Sequence, residues 1–546
     1  MRLPQDPRRR REAVIEVVRQ CASDREERRA YHQELRAWYL RGTPTQSRAR
    51  YNKLRAHVRQ SSAYLYQSES VRFGLVLPPE YGDQFSAELE TARDELHRTW
   101  HDSRAGLEVG LGVEWGHVYP TVVWKVIPVH GHAMVSLVPD PADVGVLEPD
   151  RRFDRQEAIV HFFWLTLPQI RRLVEGHPQE KELIGLAESH AVMGGGGDEP
   201  LIPTLERVIM TSTSPNLIGN ITPPMLSPAG RPETPRVECF ELWVVDDRLQ
   251  DWRIITGLAP SGQVGQVLWD RRSRLLGGSD PFVALTLGQD PAYLWGMSEV
   301  DSLSGLQEWR ERRMDQIDRM MELQLDPPIV LGGFGGLSDE RAKRLRTPGG
   351  TLATSIPNPS VNRIAPVMPP EAFGEVDAID KMFADQGGLP ILLQGQGEPG
   401  IRAGNQVGVL ATLASARIRE HAMRVEYATS EIATLVMRLH RELHEAPLQM
   451  PDGKHFLLSQ LPREIVALVA AHSASPLYAA AIKQDALEML KVGAIDKPTY
   501  VELKDPPMVD VLRAKARRLE EAAAKRAERI LALQEEKARR GPVRSR

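Results

Sequence analysis

The segment between residues 295 and 444 constrains the fold of this chain most, because long helix-forming stretches alternate there with clusters of proline and glycine. Its apolar residues recur at three- and four-residue steps, which predicts a helix over 298–325. These residues are Met314, Ile317, Met321 and Leu325. Asp326-Pro327-Pro328 ends this helix, since proline lacks the N–H that a further turn requires.

A short excursion follows and then returns to a second helix. Ile329 to Leu331 and Thr351 to Ile356 have strand character, and a small charged helix is expected between them at 338–346. The second helix is predicted from about Pro369 to Gln386, with Gly387-Gly388 as its end. A glycine-rich loop and one long helix complete the segment. We can build no soluble enzyme core that requires this order.

Short motifs mark this segment at defined spacing: Pro281-Phe282, Leu294-Trp295-Gly296-Met297-Ser298-Glu299, Asp326-Pro327-Pro328, Pro348-Gly349-Gly350 and Gly387-Gly388-Leu389-Pro390. In order and spacing, these motifs and the long helix after them resemble the portal proteins of tailed bacteriophages and related gene-transfer particles. The resemblance covers most of the chain. Its specific signal runs from about Pro281 to Arg441.

The resemblance implies an α+β, multi-domain portal fold with a wing, a stem, a clip and a crown, in a closed homo-oligomeric ring. The implied parts are an N-terminal helical segment at 1–70, a mixed α/β wing at 71–297, stem helices at 298–326 and 369–387, the clip at 327–368, the tunnel loop at 388–404, a long wing and crown helix at 405–445, and a helical crown with the C-terminal tail at 446–546. A ring suits such a subunit, because head-to-tail contacts that close leave no contact face unsatisfied.

The function implied by the resemblance is a channel at one capsid vertex of a virion that is assembled in the host cytoplasm. Double-stranded DNA would be packaged through this channel and later ejected through it. The implied partners are further copies of the chain in a dodecamer, double-stranded DNA, the large terminase subunit, a head-tail adaptor, and the major capsid or scaffolding protein. We expect no cofactor and no enzymatic activity, since the terminase would supply the energy.

The resemblance also assigns roles to three groups of side chains. The tunnel loop would touch DNA through Gln394, Gln396, Arg402 and Asn405. Partners at the clip would contact Phe334, Arg341, Lys343 and Arg344. The acidic residues that line the channel would come from Glu308, Glu311, Asp315, Asp318, Glu322, Glu375, Asp377 and Asp380.

The two predicted stem helices are strongly acidic. Residues 299–326 and 369–387 contain thirteen acidic and five basic residues, a net charge of −8, whereas the whole chain has −4. Duplex DNA presents about one phosphate per 1.7 Å of axis, so a basic wall would hold DNA tightly enough to stall it. The alternative is an ordinary solvated helix face with ion pairs such as Glu308 with Arg312 and Asp315 with Arg319.

The glycine-rich loop has a competing interpretation. Gly395-Gln396-Gly397-Glu398-Pro399-Gly400 satisfies the GxGxxG pattern of dinucleotide-binding enzymes and follows the strand-like Pro390 to Leu393. However, Pro399 removes an N–H that a phosphate would need, and the next helix runs past Glu442 without returning to a strand. A nucleotide-binding enzyme that uses Gly395 to Gly400 therefore stays the alternative.

Other chemistry is sparse in this sequence. His440 and His444 lie four residues apart, but the glutamate between them is misplaced for a zinc protease, so surface histidines are expected. His130 and His132 flank a turn at Gly131 without nearby ligands, and no metal site is expected. Two cysteines indicate a reducing compartment. No apolar run reaches the roughly 18 residues of a membrane span.

The remaining pattern predicts mixed helix and strand. Helices are expected at about 10–40 and 48–66, and a packing helix at 509–533. Short strands are expected between Gly106 and Leu137, and further strands at 158–165, 238–245, 252–256 and 264–269.

Overall fold

The computed structural model describes residues 4, 6–41, 51–82, 84–129, 131–189, 191, 235–246, 251–259, 267–272, 279–325, 329–332, 360–363, 369–388, 416–450, 453–469 and 486–504, with scattered positions between 512 and 532. These residues form an α+β protein. The helices are α1 (Pro7–Cys21), α2 (Arg25–Arg41), α3 (Lys53–Leu65), α4 (Ser86–Asp102), α5 (Ala105–Val118), α6 (Leu167–Val174), α7 (Glu180–Ser189), α8 (Glu299–Leu325), α9 (Glu371–Gly387), α10 (Ala416–Leu443) and α11 (Lys497–Lys504).

The strands pair in antiparallel fashion wherever a register is defined within the described residues. They are β1 (Phe73–Val76), β2 (Val122–Val129), β3 (His132–Leu137), β4 (Val144–Val146), β5 (Ala158–Thr166), β6 (Arg236–Asp246), β7 (Asp251–Leu258), β8 (Val267–Arg272), β9 (Phe282–Leu285), β10 (Gly288–Asp290), β11 (Tyr293–Met297), β12 (Ile329–Gly332), β13 (Ser360–Arg363), β14 (Leu448–Gln449), β15 (His455–Phe456) and β16 (Val466–Val469).

The largest sheet in the described part of the chain has the order β4-β5-β6-β7-β8, and its strands β4 to β7 bury side chains on both faces. Successive side chains of a strand point to opposite faces, so Leu242 and Trp243 of β6 enter different cores. Val14 and Val18 of α1 pack into the core that contains Leu242. Trp243 belongs to the main core of the protein.

A second sheet, with the order β3-β2-β9, shares the main core with Trp243. Lys125 of β2 donates to Glu241 of β6 at 2.8 Å, and both side chains have 0% exposure. Trp243 donates its indole N–H to the same carboxylate. Burial lowers the pKa of Lys125, while Glu241 acts in the opposite direction. This completely buried ion pair therefore links the two sheets.

α5 shows that the expectation of strands throughout Gly106 to Leu137 was wrong, since Ala105–Val118 is helical and strands begin only at Val122. Close packing explains this helix. A Cβ on Gly112 would approach the Trp124 ring to 2.1 Å, so the absence of a side chain lets α5 lie directly on β2. Gly112, one of the glycines that disfavour a helix in the sequence, is thus required by the contact of α5 with the sheet.

Most other helices and strands lie where the sequence predicts them and differ from the prediction only at their ends. The helix expected at 10–40 is divided into α1 and α2 by the turn at 22–24, after which Arg25 pairs with Asp143 and Glu238 at 2.6 Å each. The helix expected at 48–66 is α3. β5, β6 and β7 confirm the strands predicted there, and β8 begins at Val267. Residues 264–266 lie outside the described residues, and the helix predicted at 509–533 is described only in part.

Candidate functional site: the helical arm

α8 and α9 form an antiparallel pair that continues as the ribbon β12-β13, and we call these four elements the helical arm. One register runs along it, through the pairs Ser302 with Gln386, Arg310 with Asp380, Arg313 with Glu375, and Ile329 with Arg363. The ion pairs and the ribbon therefore hold both halves of the arm together from its base to its outer end.

The bounds of the arm confirm the prediction from the sequence. α8 begins at Glu299 and ends at Leu325, directly before the prolines. β12 agrees with the first predicted strand, and Gly388 ends α9 with a left-handed φ of 69°. The helix predicted at 338–346 and the strand predicted at 351–356 lie outside the described residues.

A buried cluster of His57, His117 and Glu299 holds the base of the arm. His117 Nδ1 hydrogen-bonds one carboxylate oxygen of Glu299, and His57 Nε2 lies 3.3 Å from the other. The His57 ring also makes an edge contact with Phe383 of α9, at 5.7 Å between centroids. A Cβ on Gly387 would approach that histidine to 2.3 Å. Both arm helices thus pack against α3 at one point.

Glu299 gives the fold a defined pH dependence. Burial alone would raise the pKa of Glu299, but His117 and His57 outweigh burial and hold this pKa well below its usual value. The ionised carboxylate therefore stabilises the folded chain above the unfolded glutamate pKa of about 4.3, and this contribution is lost as the pH falls through the folded pKa.

We expect the free energy of unfolding to fall as the pH drops below about 5, and Glu299→Gln to flatten this fall. Denaturant unfolding from pH 7 to pH 3 at constant protein concentration measures both slopes. Glu175→Gln, which changes an exposed glutamate, is the control and should keep the slope of the unmodified chain. A Glu299→Gln slope equal to that of the control would show that this carboxylate does not determine the acid response.

The outer part of the arm exposes large apolar side chains. Leu325 is 85% exposed and Phe373 is 54% exposed, and Met321 is also exposed. Ile317, on the same predicted face of α8, is buried. In the register of the arm, Met321 and Leu325 lie beyond the first residue of α9, so that helix does not cover them. Exposed apolar groups of this kind mark interaction surfaces.

Glu311 requires a correction to the predicted channel-lining residues. Its side chain is buried at 2% exposure, and its carboxylate accepts a hydrogen bond from Gln307 at 3.1 Å. Gln307 in turn donates to the backbone oxygen of Tyr51, also at 3.1 Å. Because this face of α8 packs on the segment before α3, Glu311 cannot face an aqueous channel.

The other acidic candidates differ in their partners. Glu308, Glu375 and Asp380 form ion pairs with Arg312, Arg313 and Arg310, respectively. The pair of Glu308 with Arg312 is one that the sequence predicts for a solvated helix face. Asp315 and Asp318 are half-buried, whereas Glu322 and Asp377 are exposed. Glu322 and Asp377 are thus the acidic candidates that are most exposed to solvent in the single chain.

The remaining predicted site residues lie outside the described residues. They are the tunnel-loop residues Gln394, Gln396, Arg402 and Asn405, the clip residues Phe334, Arg341, Lys343 and Arg344, and the loop Gly395 to Gly400 of the nucleotide-binding alternative.

His440 is not the surface histidine that was expected, since it is 2% exposed between α4 and α10. Its Nε2 lies 3.3 Å from Oε1 of Glu95, and its ring centroid lies 4.8 Å from that of His444. Sequence reasoning missed Glu95 because this residue is remote along the chain. The turn predicted at Gly131 is confirmed by a φ of 80°.

No protein-family model and no curated protein sequence matches this chain. In the described ranges, every helix is too short or too polar to cross a membrane. The functional inference therefore rests on the geometry and chemistry of the helical arm.

Proposed function

We propose that this protein is the portal subunit of a tailed bacteriophage or a related gene-transfer particle. In this proposal, subunits close into a ring, dodecameric in the particle by resemblance, and double-stranded DNA passes through its channel. The helices α8 and α9 of the helical arm are the stem, and the clip at 327–368 contains the ribbon β12-β13. The large terminase and head-tail adaptors dock at the clip, and the major capsid or scaffolding protein docks at the wing.

The observation that carries the proposal is the helical arm. α8 has 27 residues, so it is about 40 Å long. Buried contacts hold α8 from Glu299 to Glu311, while its outer turns have large exposed side chains. A long antiparallel arm, anchored at one end and apolar at the other, has the form expected of a stem that packs against copies of itself.

A second copy of this chain is the occupant that we infer for the exposed side chains of the arm. Leu325 and Phe373 are exposed on a helix pair whose two helices are joined to each other by ion pairs such as Arg310 with Asp380. A neighbouring subunit would cover these groups with a different face of its own arm, and such a heterologous contact can close into a ring. A stable contact of this kind buries about 1,200–2,000 Å² or more.

The charge of the arm supports a channel for DNA. The arm helices and adjoining residues have a net charge of −8, and the exposed Glu322 and Asp377 belong to this excess. A wall of this sign does not form ion pairs with phosphates, so DNA can slide past it. Channel lining by Glu322 and Asp377 is part of the proposal.

The nucleotide-binding alternative receives no support from the described strands. A GxGxxG loop acts in a parallel βαβ unit, whereas the strand pairs with a defined register are antiparallel in every described sheet. Tight binding of a dinucleotide by a monomer or small oligomer would favour the alternative over a ring.

Glu322→Lys combined with Asp377→Lys is expected to block packaging while rings still form. The substitutions replace two negative charges with two positive charges in every subunit along the channel, and ion pairs with phosphates would then hold DNA in place. We expect at least about tenfold fewer filled capsids in an in vivo complementation assay, and partial recovery in high-salt packaging reactions, where such ion pairs weaken.

The matched control is Glu175→Lys combined with Glu182→Lys, which makes the same change in charge at exposed positions outside the arm. These control capsids should fill normally. Normal filling by the arm variant would remove Glu322 and Asp377 from the channel. Loss of rings in the arm variant would instead place these residues at contacts between subunits.

A further inference from the structure

Three side chains that can ligate metal ions meet between α4 and α10. His440 lies in the last turn of α10, and His444 follows its last residue, Leu443. The backbone N–H of His444 still donates to the His440 oxygen at 2.8 Å, so both rings lie on one side of the helix end. Glu95 comes from α4. One potential ligand atom from each residue lies within 4.8 Å of the other two. Glu95 and His440 are buried and His444 is half-buried, so an ion could enter the cluster beside His444.

Hydrogen bonds within the chain leave His440 poorly satisfied. Its Nε2 lies 3.3 Å from Oε1 of Glu95 and 3.4 Å from Oγ1 of Thr99, and both distances are long for hydrogen bonds. Its Nδ1 is buried and has no hydrogen-bond partner. Buried polar atoms nearly always have a partner, so the chain alone does not satisfy this ring. Nε2, which lies beside Glu95, is the nitrogen that an ion would bind.

The distances suit a small transition-metal ion. Two ligand atoms that each lie about 2.0–2.1 Å from a tetrahedral zinc ion are about 3.3 Å apart, which is the separation between Glu95 Oε1 and His440 Nε2. The second oxygen of Glu95 lies 3.0 Å from Nη1 of Arg98, which would orient the carboxylate. Rotation of the half-buried His444 would bring in the third ligand.

We propose that Glu95, His440 and His444 form a binding site for a divalent transition-metal ion of the Zn²⁺ type. Imidazole nitrogens favour such ions, whereas Mg²⁺ prefers oxygen ligands and keeps several waters. Three protein ligands leave one tetrahedral position for water or another group. The bound ion would join α4 to α10. This proposal does not depend on the function of the helical arm.

The test uses the full chain without an affinity tag, treated with a chelator and then dialysed against zinc chloride. We expect one zinc ion per chain by elemental analysis and a higher thermal unfolding midpoint, because an ion that binds only the folded chain stabilises it. Magnesium chloride at the same concentration should not change the midpoint. Co²⁺ should give the visible absorption of a tetrahedral site.

His444→Ala and Glu95→Gln test the ligands without removing the buried His440 ring. We expect each to weaken Zn²⁺ binding by at least about tenfold, since even residues that only orient ligands contribute this much. His101→Ala is the control on α4, because its side chain is 91% exposed. Failure of the unmodified chain to bind Zn²⁺ at micromolar concentration, or binding by both ligand variants equal to that of the control, would overturn the site.

Discussion

A chain with Leu325→Asp and Phe373→Asp is expected to remain folded and to lose the ring. Both side chains are exposed in the single chain, so the substitutions should change its free energy of unfolding by no more than about 0.5 kcal/mol each. In the ring, a neighbouring arm would cover both positions. Each contact would then bury unpaired carboxylates, at a cost of several kcal/mol that recurs around the ring. Sedimentation at matched concentration measures the loss.

Leu325→Met with Phe373→Leu is the control for this double substitution, because it keeps both positions apolar. This control should sediment as the unmodified chain does, and circular dichroism should show the same secondary structure in all three proteins. If the aspartate variant formed rings as readily as the control, the outer part of the arm would not be a contact between subunits.

Lys125→Met is expected to cause a large loss of stability. Lys125 and Glu241 are completely buried between the two sheets, and the lysine lies 2.8 Å from the carboxylate. Removing the ammonium group leaves a buried carboxylate whose remaining bond is to the indole of Trp243. Breaking a buried pair in this way costs about 3–5 kcal/mol, which denaturant unfolding can measure at constant protein concentration.

Combining Lys125→Met with Glu241→Gln separates the charge from the packing. The double substitution removes both charges while a side-chain oxygen can still accept from Trp243, so it should recover much of the stability that Lys125→Met loses. A double variant that is as unstable as the sum of the two single variants would show that packing volume, and not the unpaired charge, causes the loss.

The ends of the helical arm could be predicted from the sequence because proline and glycine determine them locally. Pro327 and Pro328 follow α8, and Gly388 has the left-handed φ that ends α9. α5 could not be predicted in this way. Its Gly112 is explained by the ring of Trp124, which lies on a strand that follows the helix in the chain, and single-sequence patterns do not contain such contacts.

The sequence predicted which groups of residues belong to the candidate site, but it did not predict the environment of each residue within a group. Glu311 and Glu322 have the same chemistry and lie on the same helix, yet Glu311 is buried against Gln307 and Glu322 is exposed. The sequence places His440 beside His444, but its burial depends on Glu95 in a distant helix. Tertiary packing determines these differences. Composition and spacing therefore predicted the two helices of the arm, but they could not predict the environment of each side chain.

Negative-stain electron microscopy of the purified full chain at micromolar concentration tests the proposed function most directly. A portal subunit should give closed rings of many copies with a central channel, because the proposed heterologous contacts of the arm would close on themselves. Micrographs that show compact monomers and no rings at this concentration, together with tight dinucleotide binding, would contradict the portal assignment and favour the nucleotide-binding enzyme.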